Sequence, residues 1–243
     1  MKRIKYLFVT FTLILMIMGC SKFNNISSIP YTDLQKMYSI AQQKMQNGNF
    51  VSAIQYLKDI SNIDSFGSYS KQAQLDMIYS YYKNKDFISA QILINHFMQI
   101  YPESSSMDYL LYIKGLIEMI LDNPLKLKVQ LDYSSHSMVH AYNAFNDFAK
   151  LLHNYPGSDY SVDAYNRLVY LKNRLAKHEL SIALFYSKRK AYVAVINRVK
   201  KMIKLYPDTQ ATLDGLVLMQ NAYRELKIHN EADKIDKIIA AND

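Results

Sequence analysis

Two histidines one helical turn apart, His136 and His140, are the first residues to test for chemistry, in the string His136-Ser137-Met138-Val139-His140. Imidazoles four apart on a helix can share a metal ion. A zinc protease also needs a glutamate directly after the first histidine, and Ser137 stands there. No third ligand lies nearby, so the pair reads as surface histidines. Asp76 and Glu118 are lone carboxylates with no partner visible in the sequence. Phosphate-cradling loops need glycine; the chain has 6, and neither G-x-G-x-x-G nor G-x-S-x-G occurs. These readings give no catalytic residue, no metal and no cofactor. They set a binding scaffold ahead of a hydrolase with an unrecognised site.

Cys20 is the one cysteine, which excludes an internal disulfide. It follows a basic start (Lys2, Arg3, Lys5) and an apolar run, Tyr6 to Met18, too short for a membrane span of about 20 residues and suited to a signal segment. Ile17-Met18-Gly19-Cys20 resembles the bacterial lipobox, in which cleavage before the cysteine leaves it as an acylated first residue. Residues 1–19 then form a lipoprotein signal peptide, and 20–30 an acylated cysteine with a polar tether. Ser21, not aspartate, at the second mature position points to the outer membrane. The net charge of +8, less the three positive charges of the signal peptide, leaves a mildly basic body of +5. Such a body favours acidic partners or an anionic surface. The run Lys188-Arg189-Lys190 reads as a solvated helix end, and export removes nucleic acid as a partner.

The elements that must position any site are helices. Gly and Pro are scarce, at 6 and 5, and the composition is 50% hydrophobic and 21% charged. In Gln74–Pro102 the apolar residues recur three and four apart on both sides of a polar break at Lys83–Asp86, which predicts two helices and a tight turn. The pattern returns along the chain. A small residue early in each second helix stands at Ala53, Ala90, Ala144, Val195 and Ala232, and Tyr-Pro ends three copies at Pro102, Pro156 and Pro207. Two of the intervals lie near the tetratricopeptide (TPR) period of about 34 residues. The other two are longer, through a segment without clean period after Asp122-Asn123-Pro124 and through one long helix over 158–189. The reading is an all-α TPR solenoid of about five helix pairs over 31–243, with repeats at 32–66, 68–102, 107–156, 158–207 and 209–241.

Several strings spread over nearly the whole chain are similar to the BamD family, lipoproteins of the outer-membrane β-barrel assembly machinery. They are Ala41–Lys44, Gln74–Tyr79 with Tyr81–Asn84, Arg167–Lys172, Arg174–Lys177, Val193–Val199 and Tyr206–Thr212. The resemblance implies five TPRs without catalysis or cofactor. It implies a lipid-anchored protein of the outer membrane facing the periplasm. The implied partners are the barrel subunit BamA on the carboxy-terminal half, accessory lipoproteins, and nascent outer-membrane β-barrel proteins on the amino-terminal half. Two departures stand out. Asp64-Ser65 replaces the family's frequent Tyr-Pro after the first repeat, and the stretch 126–138 keeps Asp132 but is poorer in Asp and aromatics, so contacts there are expected to be remodelled.

In TPRs the first helix of each pair lines the inner surface, so the resemblance implies a client groove at Tyr38, Gln42 and Met45, then Leu75, Tyr79, Tyr82 and Lys83. Tyrosine suits an extended client because one end is apolar and the other hydrogen-bonds. On the BamA side the expected residues are Arg198, Asp122 and Asn123. Arg198 flanks the buried stripe of Val195, Val199 and Met202, and its planar fork can reach off that edge toward a partner carboxylate. On that reading, removing it weakens the partner contact and leaves thermal melting nearly unchanged.

Overall fold

The computed structural model describes residues 31–63, 67–122 and 138–242. Cys20, Asn123 and His136 lie outside them. Among the described residues there are ten α-helices and no strand: α1 (Tyr31–Gln46), α2 (Phe50–Ile63), α3 (Ser68–Lys83), α4 (Phe87–Ile100), α5 (Met107–Leu121), α6 (Val139–Asn154), α7 (Ser161–Lys188), α8 (Tyr192–Leu205), α9 (Gln210–Glu225) and α10 (His229–Ala240). The chain divides into two compact units, residues 1–73 and 74–243. In the first, α1 packs on α2. In the second, α4 to α9 pack each on the next, α9 also packs on α7, and α10 closes on α9. A first helix resting on both members of the preceding pair is the packing of tetratricopeptide repeats.

The turns inside the pairs share one geometry. Gly48, Lys85, Lys190 and Lys227 all have left-handed φ, between 58° and 73°. In each, the turn residue's N–H bonds a carbonyl three back, and the next N–H reaches five back. Thus Lys85 N–H donates to Tyr82 O at 3.1 Å and Asp86 N–H to Tyr81 O at 3.0 Å. This double closure satisfies carbonyls that a helix end leaves open. Three of the four residues are lysines, at a steric cost of about 1–2 kcal/mol each for an L side chain in this region. Each turn residue stands five before the small anchor of its pair. The anchors Ala53, Ala90, Ala144 and Val195 are fully buried and Ala232 nearly so.

The Tyr-Pro stops repeat as closely. The N–H groups of Tyr101, Tyr155 and Tyr206 donate to the carbonyls of Phe97, Leu151 and Met202, at 2.8, 2.8 and 2.7 Å, and a proline then blocks continuation. Four of the five second helices fully bury a large side chain seven after the anchor, Ile60, Phe97, Leu151 and Met202, while Ile239 of α10 is only half-buried. Three continuous cores follow one another through residues 74–243, each contributed by adjacent helices.

Helix α7 is one long helix, as expected, but at 28 residues it is shorter than 158–189 and begins at Ser161, after a turn at Ser158–Tyr160 closed by Ser161 N–H on Ser158 O at 3.0 Å. It accounts for one of the two long intervals; the other falls in 123–137, outside the described residues.

Gly115 lies where α5 and α6 approach closely. A Cβ there would stand 2.7 Å from ring atoms of Phe148 on α6. An interior Gly→Ala change normally favours a helix by about 1 kcal/mol. Gly115→Ala is instead expected to destabilise by about 1–2 kcal/mol, because the fully buried Phe148 ring has to move. Urea unfolding checks this, and a gain in stability would show that α5 and α6 can separate freely.

Candidate functional site

The first helices of three successive pairs meet at a cleft of about 470 Å³. Its floor is apolar: Leu116, Met119 and Ile120 of α5. Tyr82 enters from α3, and Arg167, Tyr170 and Arg174 line the α7 wall. Three, four and seven residues apart is one face of a helix, so α7 presents both guanidiniums and the ring together. Tyr170 is 56% exposed, and Val162, Tyr165 and Val169 are exposed on another side of the same helix. Ring and aliphatic surface beside N–H forks is the chemistry for an apolar or aromatic side chain next to a carboxylate or carbonyl.

Both arginines are steadied by carboxylates. Arg174 pairs with Asp122, whose side chain is 2% exposed. Arg167 donates through Nε to Asp163, and its Nη1 lies 3.7 Å from Met119 Sδ. Tyr112 donates to the same Asp163 oxygen at 2.7 Å. The Arg167 and Tyr112 hydrogen bonds hold the Asp163 carboxyl below the usual range despite some burial. Burial lowers the Arg174 guanidinium from its ordinary value and raises the Tyr82 phenol from its own. Each guanidinium has five N–H donors and spends few on its tie, so donors remain for a ligand.

The expected groove residues divide between the two units. In the first, Gln42 Nε2 donates to Tyr38 Oη at 2.9 Å, and the Tyr38 ring lies 5.6 Å from that of Tyr69. In the second, Tyr82 lines the cleft, while Lys83 is exposed with its Nζ 5.9 Å from the Tyr79 ring centre. Met45 is half-buried, and Leu75 differs from expectation: it is buried in the core shared by α3, α4 and α5. Its place in the apolar period puts it on the packed side, not the open one.

Of the expected partner residues, Asp122 is turned inward. It ends α5 buried behind Arg174, so Arg174 is the accessible member of that pair. Arg198 leans off the edge of the Val195–Val199–Met202 stripe, as its spacing requires, but its Nη1 reaches back to Glu179 Oε2 at 2.9 Å. Glu179 of α7 is 2% exposed. Lys201 Nζ and Tyr142 Oη also donate to it, at 2.6 and 2.9 Å. Burial pushes the Glu179 carboxyl up, but the bonds from Lys201, Arg198 and Tyr142 together outweigh it and hold the group below its usual range. Arg198 keeps about a third of its side chain exposed.

Arg167, Tyr170, Arg174 and Glu179 were not expected as site or hub residues. Their period on α7 was visible, but their partners lie on other helices. Lys188, Arg189 and Lys190 form an exposed helix end, as expected. His140, read as a surface residue, keeps 43% of its side chain exposed and also bonds the buried Glu118 at 2.6 Å. Among the described residues no cluster of His, Cys, Asp or Glu could hold a metal ion, and no helix is long and apolar enough to cross a membrane.

The Glu179 geometry replaces the expectation that Arg198→Ala leaves melting unchanged. Removing one of three donors from a buried carboxylate is expected to cost ~1–2 kcal/mol at pH 7. A depressed carboxyl stabilises the fold above its unfolded pKa and loses that contribution as pH falls through the folded value. The cost should therefore shrink toward pH 3. Denaturant curves of both chains across pH 3–7 test this; an equal cost throughout would assign it to packing.

Residues 31–238 match the family model YfiO, described as outer membrane lipoprotein. The outer membrane protein assembly factor BamD of Pasteurella multocida is 40% identical over 227 residues, 93% of this chain and 86% of that protein. Its namesake in Haemophilus influenzae is 36% identical, covering 93% of this chain and 86% of that one. The Vibrio cholerae protein of the same name is also 36% identical, covering 93% and 94%. A crystal structure of TPR-like repeats from Podosopora anserina aligns loosely, at a TM-score of 0.38 and 13% identity over 86% of this chain and 93% of that one; helix pairing within residues 74–243 carries the fold instead. A match that runs from the first residue of α1 into α10, with relatives aligned over most of both chains, makes this chain a member of the YfiO/BamD family of outer membrane lipoproteins.

Proposed function

We propose that the chain is an outer membrane protein assembly factor: a lipid-anchored scaffold, facing the periplasm, that holds unfolded β-barrel proteins for folding and insertion. Cys20 carries the lipid after removal of residues 1–19, residues 20–30 are the tether, and five TPRs fill the rest. The work is binding, without catalysis. The observation that carries the reading is the first-helix cleft, with two tyrosines, two steadied guanidiniums and an apolar floor. Unfolded barrel proteins expose strand edges and alternating aromatic side chains, which aggregate unless held. A shallow cleft of this composition binds such a chain, and its arginines favour an end that bears a carboxylate. Tyr38, Gln42, Tyr79 and Lys83 supply further client contacts.

The BamA-type partner is assigned to the Arg198 side, with accessory lipoproteins as further partners. Lys201 and Tyr142 keep Glu179 supplied with donors, which supports a role for the exposed part of Arg198 in meeting a partner carboxylate. Arg174 takes the place of Asp122 as the accessible member of that pair, and Asn123 stays assigned by resemblance alone.

Photo-crosslinkers at Tyr82 and Tyr170 are expected to capture barrel-protein segments, and Arg167→Ala with Arg174→Ala to weaken binding of a peptide with a free carboxylate about tenfold or more. Capture only from α8 to α10 would reverse the assignment of the two halves. Cys20→Ala is expected to release the protein from membranes, and mass spectrometry showing an unmodified Cys20 on the mature protein would remove the anchor from the proposal.

A further inference from the structure

Two of the turns inside helix pairs, α7–α8 and α9–α10, meet on one edge of the unit of residues 74–243. Tyr192, two after Lys190, donates through Oη to Glu225, two before Lys227, at 3.1 Å, so the turns lie side by side. Lys190 and Lys227 stand at their tips, with φ of 58° and 60°. Lys188 and Arg189 precede the first tip, and all four cations are exposed. Apolar side chains stand among them. Leu184 and Phe185 lie in the last turns of α7, Val193 in the first turn of α8 and Ile228 just after Lys227, and all are exposed. The Arg189 guanidinium lies 3.7 Å from the Phe185 ring centre.

None of the four cations pairs with a carboxylate among the described residues. Three carboxylates of α9 and α10 near these turns are already engaged: Glu225 by Tyr192, Asp236 by Arg224 and Glu231 by Lys234. A cation at a helix C-terminus complements the macrodipole, which accounts for Lys188. Positions 190 and 227 are left-handed, where glycine fits without strain, so the turns themselves do not account for lysine. A turn that ends a helical hairpin projects, and the two together make a convex surface. A flat sheet of phosphates meets projecting cations without any shaped pocket. Exposed ring and aliphatic groups beside the cations suit the boundary between headgroups and acyl chains. The guanidinium over Phe185 lets ring and charge enter that boundary as one unit.

We propose that this edge docks on the surface of an anionic phospholipid bilayer, with Lys188, Arg189, Lys190 and Lys227 on lipid phosphates and Phe185 and Leu184 at the headgroup boundary. The contact is peripheral and reversible. It orients a chain that is held at the membrane by other means and does not by itself retain one there. Each basic residue near an anionic surface contributes about fivefold in affinity, and added salt weakens the contact. The docking rests neither on the lipid at Cys20 nor on the first-helix cleft.

The test uses the whole mature chain, residues 20–243, with Cys20→Ala so that no acyl chain takes part. Binding is read by flotation with vesicles of phosphatidylcholine, alone or mixed with phosphatidylglycerol. The mixed vesicles are expected to bind at least tenfold more tightly, and less so as salt is added. Lys190→Gly with Lys227→Gly removes two tip charges where glycine suits the backbone, so the fold is kept; binding should fall about twentyfold. Lys200→Gln with Lys204→Gln removes the same charge from exposed lysines farther along α8 and should change binding less than twofold. The chain has no tryptophan, so Phe185→Trp gives a single reporter. Its emission should shift to the blue on mixed vesicles, and that of Tyr165→Trp, on another side of α7, should not. Equal binding to both vesicles, an equal loss in the Lys200 and Lys204 pair, or an unshifted Trp at position 185 would each overturn the proposal. So would no binding to either vesicle, which would leave the edge to an acidic protein face.

Discussion

The spacing of five residues between a left-handed turn residue and a small buried anchor is the constraint on which the rest depends. It fixes where the second helix of a pair meets the first and how closely. Ala53, Ala90 and Ala232, and Val195 in the fourth pair, sit where a larger side chain would hold the helices apart. The turn reaches this geometry even where a lysine occupies the left-handed position. That local strain persists because both orphan carbonyls are closed and the anchor is packed. From there the chain has one place to put its next large residue, seven on, and the Tyr-Pro stop ends the helix before it overruns the pair.

Much of this was legible in the sequence. The anchors, the stops and the long α7 all follow from apolar period and proline, which are local signals. Helix ends fell within a few residues of the expected ones because turn and cap residues announce them. What could not be read was which polar groups meet. Glu118 looks like a lone carboxylate because its partners are Gln91, His140 and Asn143, on two other helices. Asp122 looks exposed because it ends a helix before a proline, yet Arg174, far along the chain, covers it. Leu75 and Tyr79 are one turn apart and share a face by period alone; packing buries the first and leaves the second half-exposed. Local pattern reports a face, and only the neighbouring helix decides how much of it stays open.

Those hidden contacts give the molecule its binding character. In the unit of residues 74–243, carboxylates on first helices are tied to donors on neighbouring pairs, Asp122 to Arg174, Asp163 to Tyr112 and Glu179 to Tyr142, and Glu179 is held as well by Arg198 and Lys201 from the second helix of its own pair. Exposed ion pairs contribute little to stability. Here one member of each of two ties is buried, which fixes the position of the other. Arg174 and Arg198 are thus held at defined places with part of the guanidinium open. A repeat protein whose cores provide stability can keep such groups on its open face, where they are available to the binding role proposed above.

Hydrogen exchange of the mature chain, with and without a peptide from the carboxy-terminal end of a barrel protein, bears most directly on this role. Slower exchange is expected in the last turns of α5 and in the stretch of α7 that carries Arg167, Tyr170 and Arg174. Slowing confined to α8–α10, or none at a saturating peptide concentration, would contradict it.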